Sequence, residues 1–307
     1  MLSYTLRRLL GVVPTFLLIV TAAFFLMRAA PGGPFDAEQT LPPEIEANLQ
    51  AAYGLDQPVL VQFGRYLAGL LQGDLGPSFR MKDFTVAELI GKGLPVTLSI
   101  GMAALALALL IGVPLGLLAA LRQNRWVDHA VMTLALVGMA VPNFVVAPVL
   151  ALALGIHLGW LPVAGWQPGS LRHMVLPVVT LALPFIAYVA RLTRGSLLEV
   201  LQSGYVRTAR AKGLAPSAIV RRHALKPTLL PVVSFLGPAA AALLTGSLVV
   251  EQVFGLPGVG RYFVQGAINR DYTLVMGMVV FYAALILLLN LLVDLLYGWL
   301  DPRIRHE

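Results

Sequence analysis

No cysteine occurs in the chain, so there is no disulfide framework, no thiol chemistry and no cysteine-built metal site. Charge is scarce too. Asp, Glu, Lys and Arg make up 12% of the residues against 58% hydrophobic ones, too little polar surface to cover a water-soluble domain. A mean hydropathy of +0.81 points the same way, to a chain that crosses a membrane several times. The histidines, His129, His157, His173, His223 and His306, include no pair at HxxxH spacing, and they read as loop or interfacial residues, with no metal site implied. No phosphate-binding loop of the GxxxxGKS/T type is present. The nearest approach, Gly91-Lys92-Gly93, lies in a proline-flanked segment. Nor can the residues supply a Ser-His-Asp arrangement, an HExxH helix or paired carboxylates in an apolar cleft, which excludes a membrane protease or related enzyme. No catalytic, cofactor-binding or metal-ligating residue is therefore expected in this chain.

What the sequence has in abundance is long apolar runs separated by short basic ones. Candidate membrane spans cover Leu9 to Met27, Leu94 to Leu121, Ala130 to Gly155, His173 to Leu192, Leu230 to Val250 and Thr273 to Leu300, each long enough at 1.5 Å per residue. The first is read as an uncleaved helix, because Arg28 occupies the position where signal-peptide cleavage needs a small residue and Pro31 follows Ala29-Ala30. The net charge of +7 is explained without nucleic acid: Arg7, Arg8, Arg122, Arg125, Arg191, Arg194, Arg207, Arg210, Lys212, Arg221, Arg222, Lys226, Arg303 and Arg305 all fall on one side of a six-span arrangement. That side is the cytoplasm, and both termini lie there. The expected organisation is an anchor helix over 1–30, an extracytoplasmic segment over 31–93, a five-helix domain over 94–300 and a cytoplasmic tail over 301–307.

The segment over 31–93 is rich in acids, among them Asp36, Glu38, Glu44, Glu46, Asp56, Asp74, Asp83 and Glu88, which places it outside. Pro42-Pro43-Glu44 begins a candidate helix through Tyr53 closed by Gly54, and Pro58 to Leu71 is a second. Contact with a solute-delivering protein, a cap over the path and a solvated lid without specific role are all open for it. Gly112 and Gly116 form a GxxxG that admits a close neighbour, a signal of low specificity alone. Pro142 and Pro148 predict kinks in the third span, and Pro177 and Pro184 in the fourth; Trp160 and Trp166 suit the membrane interface. From Glu251 to Tyr272, glycines and a proline forbid one continuous helix. Asn290 and Asp294 share a face of the last span; without carboxylates at matching depth, interhelical hydrogen bonding is favoured over an ion relay.

Between the fourth and fifth spans, Ser196 to Val233 forms a basic island. Leu197, Leu201, Tyr205 and Ala209 recur at a spacing of four, which predicts one helix ending at Gly213, where Lys212 suits the helix C-terminus. A second short helix is expected from Pro216 to Lys226, before Pro227 and Pro231. The product is a glycine elbow on the cytoplasmic face. Holding topology and touching anionic lipid is the plainer role for such a basic loop, but charge alone would not require the glycine.

These words resemble the cytoplasmic EAA loop of ABC-type importer permeases, in the form seen in the dipeptide and oligopeptide family: YVRTARAKGL, then RHAL and LLP, stand from Tyr205 onward. Arg207-Thr208-Ala209 replace Glu-Ala-Ala, and the distance from Gly213 to Leu230-Pro231 is longer than in the general motif; the peptide-type version shares both departures. Glu251-x-Val253-Phe254, Pro257-Gly258-x-Gly260, Asn269-Arg270-Asp271-Tyr272 and the closing DPRIR resemble the same family, whereas Pro31-Gly32-Gly33-Pro34 lacks its usual Asp. The resemblance implies an all-α polytopic membrane protein of the type-1 permease kind, six transmembrane helices with an extracytoplasmic segment after the first. It implies a bacterial cytoplasmic (inner) membrane, a second homologous permease subunit, two ATP-binding subunits that carry ATP and Mg, and an extracytoplasmic solute-binding protein. It also implies that the loop over 193–229, with Tyr205, Val206, Arg207, Thr208, Ala209, Arg210, Lys212, Gly213 and Leu214, docks on the ATPase, where burial of Val206, Ala209 or Leu214 is expected to carry the force. Peptides are the implied cargo of this alternating-access importer. A nickel complex, glutathione or an oligosaccharide on the same machinery, or a stand-alone secondary transporter or channel, are the alternatives.

Overall fold

The computed structural model describes residues 2–29, 50–51, 54–81, 83–245 and 248–300, and the described residues are helices and turns apart from one isolated antiparallel bridge, Pro77 with Thr85. The candidate helix from Pro42 to Tyr53, the Pro31-Gly32-Gly33-Pro34 opening, the DPRIR tail and the side chain of Asp294 lie outside the described residues.

Helix α1 (Leu2–Ala29) extends beyond the apolar run at both ends. Helix α2 (Val59–Leu71) follows Pro58 as the sequence suggests. Helix α3 (Val86–Leu121) begins two turns before the expected Leu94. A reciprocal cap explains the early start: the Thr85 N–H donates to Glu88 Oε2 at 2.9 Å and the Glu88 N–H donates to Thr85 Oγ1 at 3.2 Å. Helix α4 (Trp126–Ala140) and helix α5 (Asn143–Leu150), which continues as a π-helical stretch Ala151–His157, meet at a bend of 102°. Pro142 lies at the bend with φ −65° and ψ 146°, whereas Pro148 sits inside α5 without breaking it. Among the described residues, five helices are long and apolar enough to cross a membrane, or six if the bent pair is one span.

Helix α6 (Leu171–Leu201) accommodates Pro177 and Pro184 and runs well past Leu192. Then come α7 (Gly204–Ala211), α8 (Pro216–Ile219), a π-helical turn Val220–Ala224 and α9 (Leu225–Thr245). The helix starting at Pro216 therefore does not stop at Lys226. Pro227 follows directly on the π-helical turn, and Pro231 and Pro238 lie inside α9, so none of the three ends the helix. Helix α10 (Leu248–Val253), α11 (Val259–Ile268) and α12 (Tyr272–Leu300) complete the described chain, with the expected breaks between them.

The chain divides into two compact units. In the unit of residues 1–8, 97–256 and 288–307, α4 and α9 each pack along α6. The GxxxG pair also meets α6: a Cβ on Gly112 would lie 2.8 Å from the Ile186 carbonyl oxygen, and one on Gly116 would lie 2.4 Å from that of Ala190. No side chain fits there, so close approach is what the glycines provide. In the unit of residues 9–96 and 257–287, Val86, Leu89, Ile90, Val259, Leu274 and Met278 form one buried cluster. Phe24 of α1 rests against Phe63 of α2, centroids 5.1 Å apart.

Candidate functional site

The basic loop is built on a break that the sequence pattern concealed. Ser203, with φ −66° and ψ 154°, ends α6 and starts α7, so the stripe from Leu197 to Ala209 is not one helix. The break resets the phase. Leu197 is buried against Ala120 and Ala224, but Tyr205 turns outward, 49% exposed. On α7 it is Val206 and Ala209, three apart, that face inward and pack with Ile219 of α8, beside Val200 and Leu201. Their exposures of 0% and 6% remove them as docking residues, contrary to expectation, because they seat α7 on its own chain. Leu214, 37% exposed, stays open.

Gly213 ends α7 as anticipated. Its N–H donates to the Arg210 carbonyl at 2.9 Å and the Leu214 N–H donates to the Ala209 carbonyl at 3.3 Å, the paired bonds of a Schellman cap, with Gly213 at φ +76°. Tyr205, Arg207, Thr208, Arg210, Lys212, Gly213 and Leu214 thereby form one exposed surface over a buried base. The base continues into the π-helical turn: Ala224 is buried with Leu197, and the Thr228 hydroxyl donates to the Ala224 carbonyl at 2.8 Å. Nearby, the Arg194 guanidinium of α6 holds the Asp128 carboxylate of α4 with both oxygens, at 2.6 and 2.8 Å, and the Asn124 N–H donates to the same carboxylate at 3.0 Å. This buried carboxylate ties the start of α4 to the last turns of α6.

A second polar cluster gives the Asn-Arg-Asp-Tyr words a physical meaning. Asp271 is fully buried; its Oδ2 accepts from the Ser78 hydroxyl and, at 3.1 Å, from the Arg80 N–H, while Oδ1 accepts from the Leu274 N–H at 3.0 Å, capping α12. The Arg80 Nε–H donates to the Asn269 carbonyl at 3.0 Å. Residues 78–80 of the acid-rich segment are thus clamped to the approach to α12, which a free lid would not be. Glu251 is also buried and accepts from the Thr97 hydroxyl at 2.7 Å. The sequence reading missed both carboxylates as anchors. Their signal was an acid at the edge of an apolar run, since such a group persists there only when donors surround it.

Helices of this length and composition, joined by a cationic elbow, define a polytopic membrane protein. Residues 112–306 match the model of the binding-protein-dependent transport system inner membrane component family, and residues 1–101 match the model of its N-terminal region. The chain belongs to that family. It is 50% identical over 306 residues to the oligopeptide transport system permease protein OppB of Escherichia coli (strain K12), with 100% of each chain covered. It is 42% identical over 305 residues to the dipeptide transport system permease protein DppB of Bacillus subtilis (strain 168), covering 99% of this chain and 98% of that one. Among solved structures, the MetNI methionine ABC transporter in an inward-facing conformation aligns with a TM-score of 0.58 at 20% identity, covering 69% of this chain and 96% of that chain. That last likeness concerns the fold alone.

Proposed function

We propose that the chain is a permease subunit of an ATP-driven importer that carries peptides of the dipeptide to oligopeptide class across the bacterial inner membrane. The observation that carries this reading is full-length identity of 50% to an oligopeptide permease, together with an exposed elbow mounted on a buried base. Both termini and the elbow face the cytoplasm, in keeping with the basic residues around them. Two ATP-binding subunits hold ATP and Mg, a second homologous permease completes the path, and an extracytoplasmic binding protein delivers the solute. This chain does no bond chemistry. Its part is to change shape when the ATPases close.

The elbow suits that work because its parts differ in stiffness. Val206, Ala209 and Ile219 fix α7 to α8, so a push on Tyr205, Thr208 or Leu214 moves both helices together. The displacement passes to α6 through Val200 and Leu201 and to α9 through Ala224. Taking an alternating-access equilibrium from mostly one state to mostly the other requires about 5.5 kcal/mol, within reach of ATP binding but beyond one surface ion pair. The test is purification of the tagged chain from its native membrane, followed by reconstitution with its binding protein. ATPase chains and a second permease should co-purify, and vesicles loaded with ATP should accumulate labelled tri-alanine. A chain that purifies alone and transports down an ion gradient would support the secondary-transporter alternative instead.

A further inference from the structure

The uncovered surface changes character from helix to helix. α1 exposes Leu10, Leu18 and Leu26, α3 exposes Leu110 and Ile111, and α4 exposes Leu134 and Leu136, the large aliphatic side chains that lipid accepts. α9 exposes no large hydrophobic side chain among its described residues. What it leaves open is Ser234, Pro238 and Ala242, spaced by four and so on one face, with Lys226 exposed about two turns earlier. α6 behaves similarly. Between Leu176 and Ala190 the exposed residue is Tyr188, 41% open, and Arg191 follows it on the same side. The two open faces join, because the Tyr188 ring stacks on Phe235 of α9 with centroids 4.2 Å apart, and Phe185 lies against the same phenylalanine at 6.3 Å.

The polar groups on this joint face are ones that hydrocarbon penalises. Tyr188 presents a hydroxyl. Ser234 donates its hydroxyl to the Leu230 carbonyl at 3.1 Å, which leaves the oxygen's lone pairs available. Pro238 has no N–H to return to the Ser234 carbonyl one turn earlier. A backbone or hydroxyl group left unpaired toward lipid is costly, whereas one turned to water or to a passing amide is not.

Resting on the importer reading above, we infer that the joined faces of α6 and α9 around Tyr188, Phe235 and Ser234 form a wall of the aqueous solute path, suited to the neutral amide backbone of a peptide. Hydroxyls and the Ser234 carbonyl, to which Pro238 returns no N–H, offer donors and acceptors without full charge, and stacked rings give a flat surface that accepts varied side chains. Nothing on the wall binds tightly, which passage requires. Arg191, one turn beyond Tyr188, and Lys226, two turns before Ser234, place positive charge at its inner end, where a peptide's carboxylate is drawn onward.

Because the chain has no cysteine, single cysteines report this surface directly. S234C, A242C and, as a lipid-facing control, L110C are each made in the complete transporter in proteoliposomes. They are treated with a charged, membrane-impermeant methanethiosulfonate, and modification of this chain is read by its mass. S234C and A242C should react at least about tenfold faster than L110C, since each pKa unit that an apolar setting adds to a thiol removes tenfold of the reactive thiolate. Tri-alanine delivered by the binding protein should slow S234C. If neither cysteine outpaces L110C, with or without vanadate-trapped nucleotide, the face packs dry against another chain and the wall is overturned. Fast reaction untouched by tri-alanine, in a transporter that imports it, also overturns the solute contact. Uptake by the unmodified transporter is measured alongside; its absence removes the peptide reading, while fast labelling still identifies a water-lined wall.

Discussion

Gly213 has φ +76° and open space around the position of a Cβ, so a side chain there meets no neighbour and strains only the backbone. For a β-branched residue the left-handed conformation costs about 1–2 kcal/mol. Gly213→Val should insert and assemble normally but lower peptide-stimulated ATP hydrolysis by roughly tenfold, the change expected when about 1.4 kcal/mol is lost from coupling. Unchanged stimulation in reconstituted complex would remove the elbow as transmitter. Asp271 is the opposite kind of residue, fixed by contacts. Asp271→Ala strands two backbone N–H groups and the Ser78 hydroxyl, and buried donors left unpaired cost about 1–3 kcal/mol each. The variant should show an earlier thermal melt in detergent, with new proteolytic cuts near residues 77–85; protection equal to the parent would show that the clamp adds nothing. Tyr66 in α2 gives a milder case. Its hydroxyl is buried with no partner among the described residues, and burial pushes the phenol up to about 12. Any stability that its neutral form contributes is present below pH 10 and is lost as pH rises toward 12, because the folded chain disfavours the phenolate that the unfolded chain forms readily. Tyr66→Phe should therefore leave the melting temperature at neutral pH equal or slightly higher, and flatten its fall in alkali.

Helices in this chain end where caps and breaks dictate, and apolar runs alone do not locate those points. The runs identified the spans, since each long one became helical, the third as a bent pair, but the early start of α3 came from Thr85 and Glu88, three residues apart in a polar stretch. The prolines were legible only in part. Pro142 produces a 102° bend, yet Pro177, Pro184, Pro231 and Pro238 sit inside helices. A proline breaks a helix only when nothing else in the packed structure compensates for the lost hydrogen bond, and that is a tertiary fact. The same applies to the elbow. Its glycine cap was legible, and its buried face was not, because the reset at Ser203 shifted the pattern from every fourth residue to Val206 and Ala209. Val206→Asp should expose the consequence: a carboxylate forced into that cluster, at a cost of several kcal/mol, would unseat α7. The variant should reach the membrane at normal levels but lose its ATPase subunits on purification, whereas Thr208→Asp, on the exposed side, should retain them or weaken them modestly. Retention by both would mean that the seat does not govern docking.

For the molecule as a whole, the α4–α5 pair decides which surface meets which compartment. If the bent pair crosses the membrane, the chain has six spans and its ends share a side; if it turns back, there are five and everything after Leu158 is inverted. Inversion would place Arg207, Arg210, Lys212, Arg221 and Arg222 outside while Arg122 and Arg125 stayed within, against the bias that basic loops show. It would also put the exposed elbow beyond the reach of any cytoplasmic ATPase. The polar residues flanking the pair agree with crossing, since Asp128, bound by Arg194, marks one end and exposed Trp160 marks the other. Two single cysteines in this cysteine-free chain settle the choice. In intact cells stripped of outer-membrane barriers, Trp160→Cys should react with an impermeant maleimide, and Thr208→Cys should react only after the inner membrane is opened. The reverse pattern would establish five spans, invert the elbow and end the case for this chain as the coupled half of an ATP-driven importer.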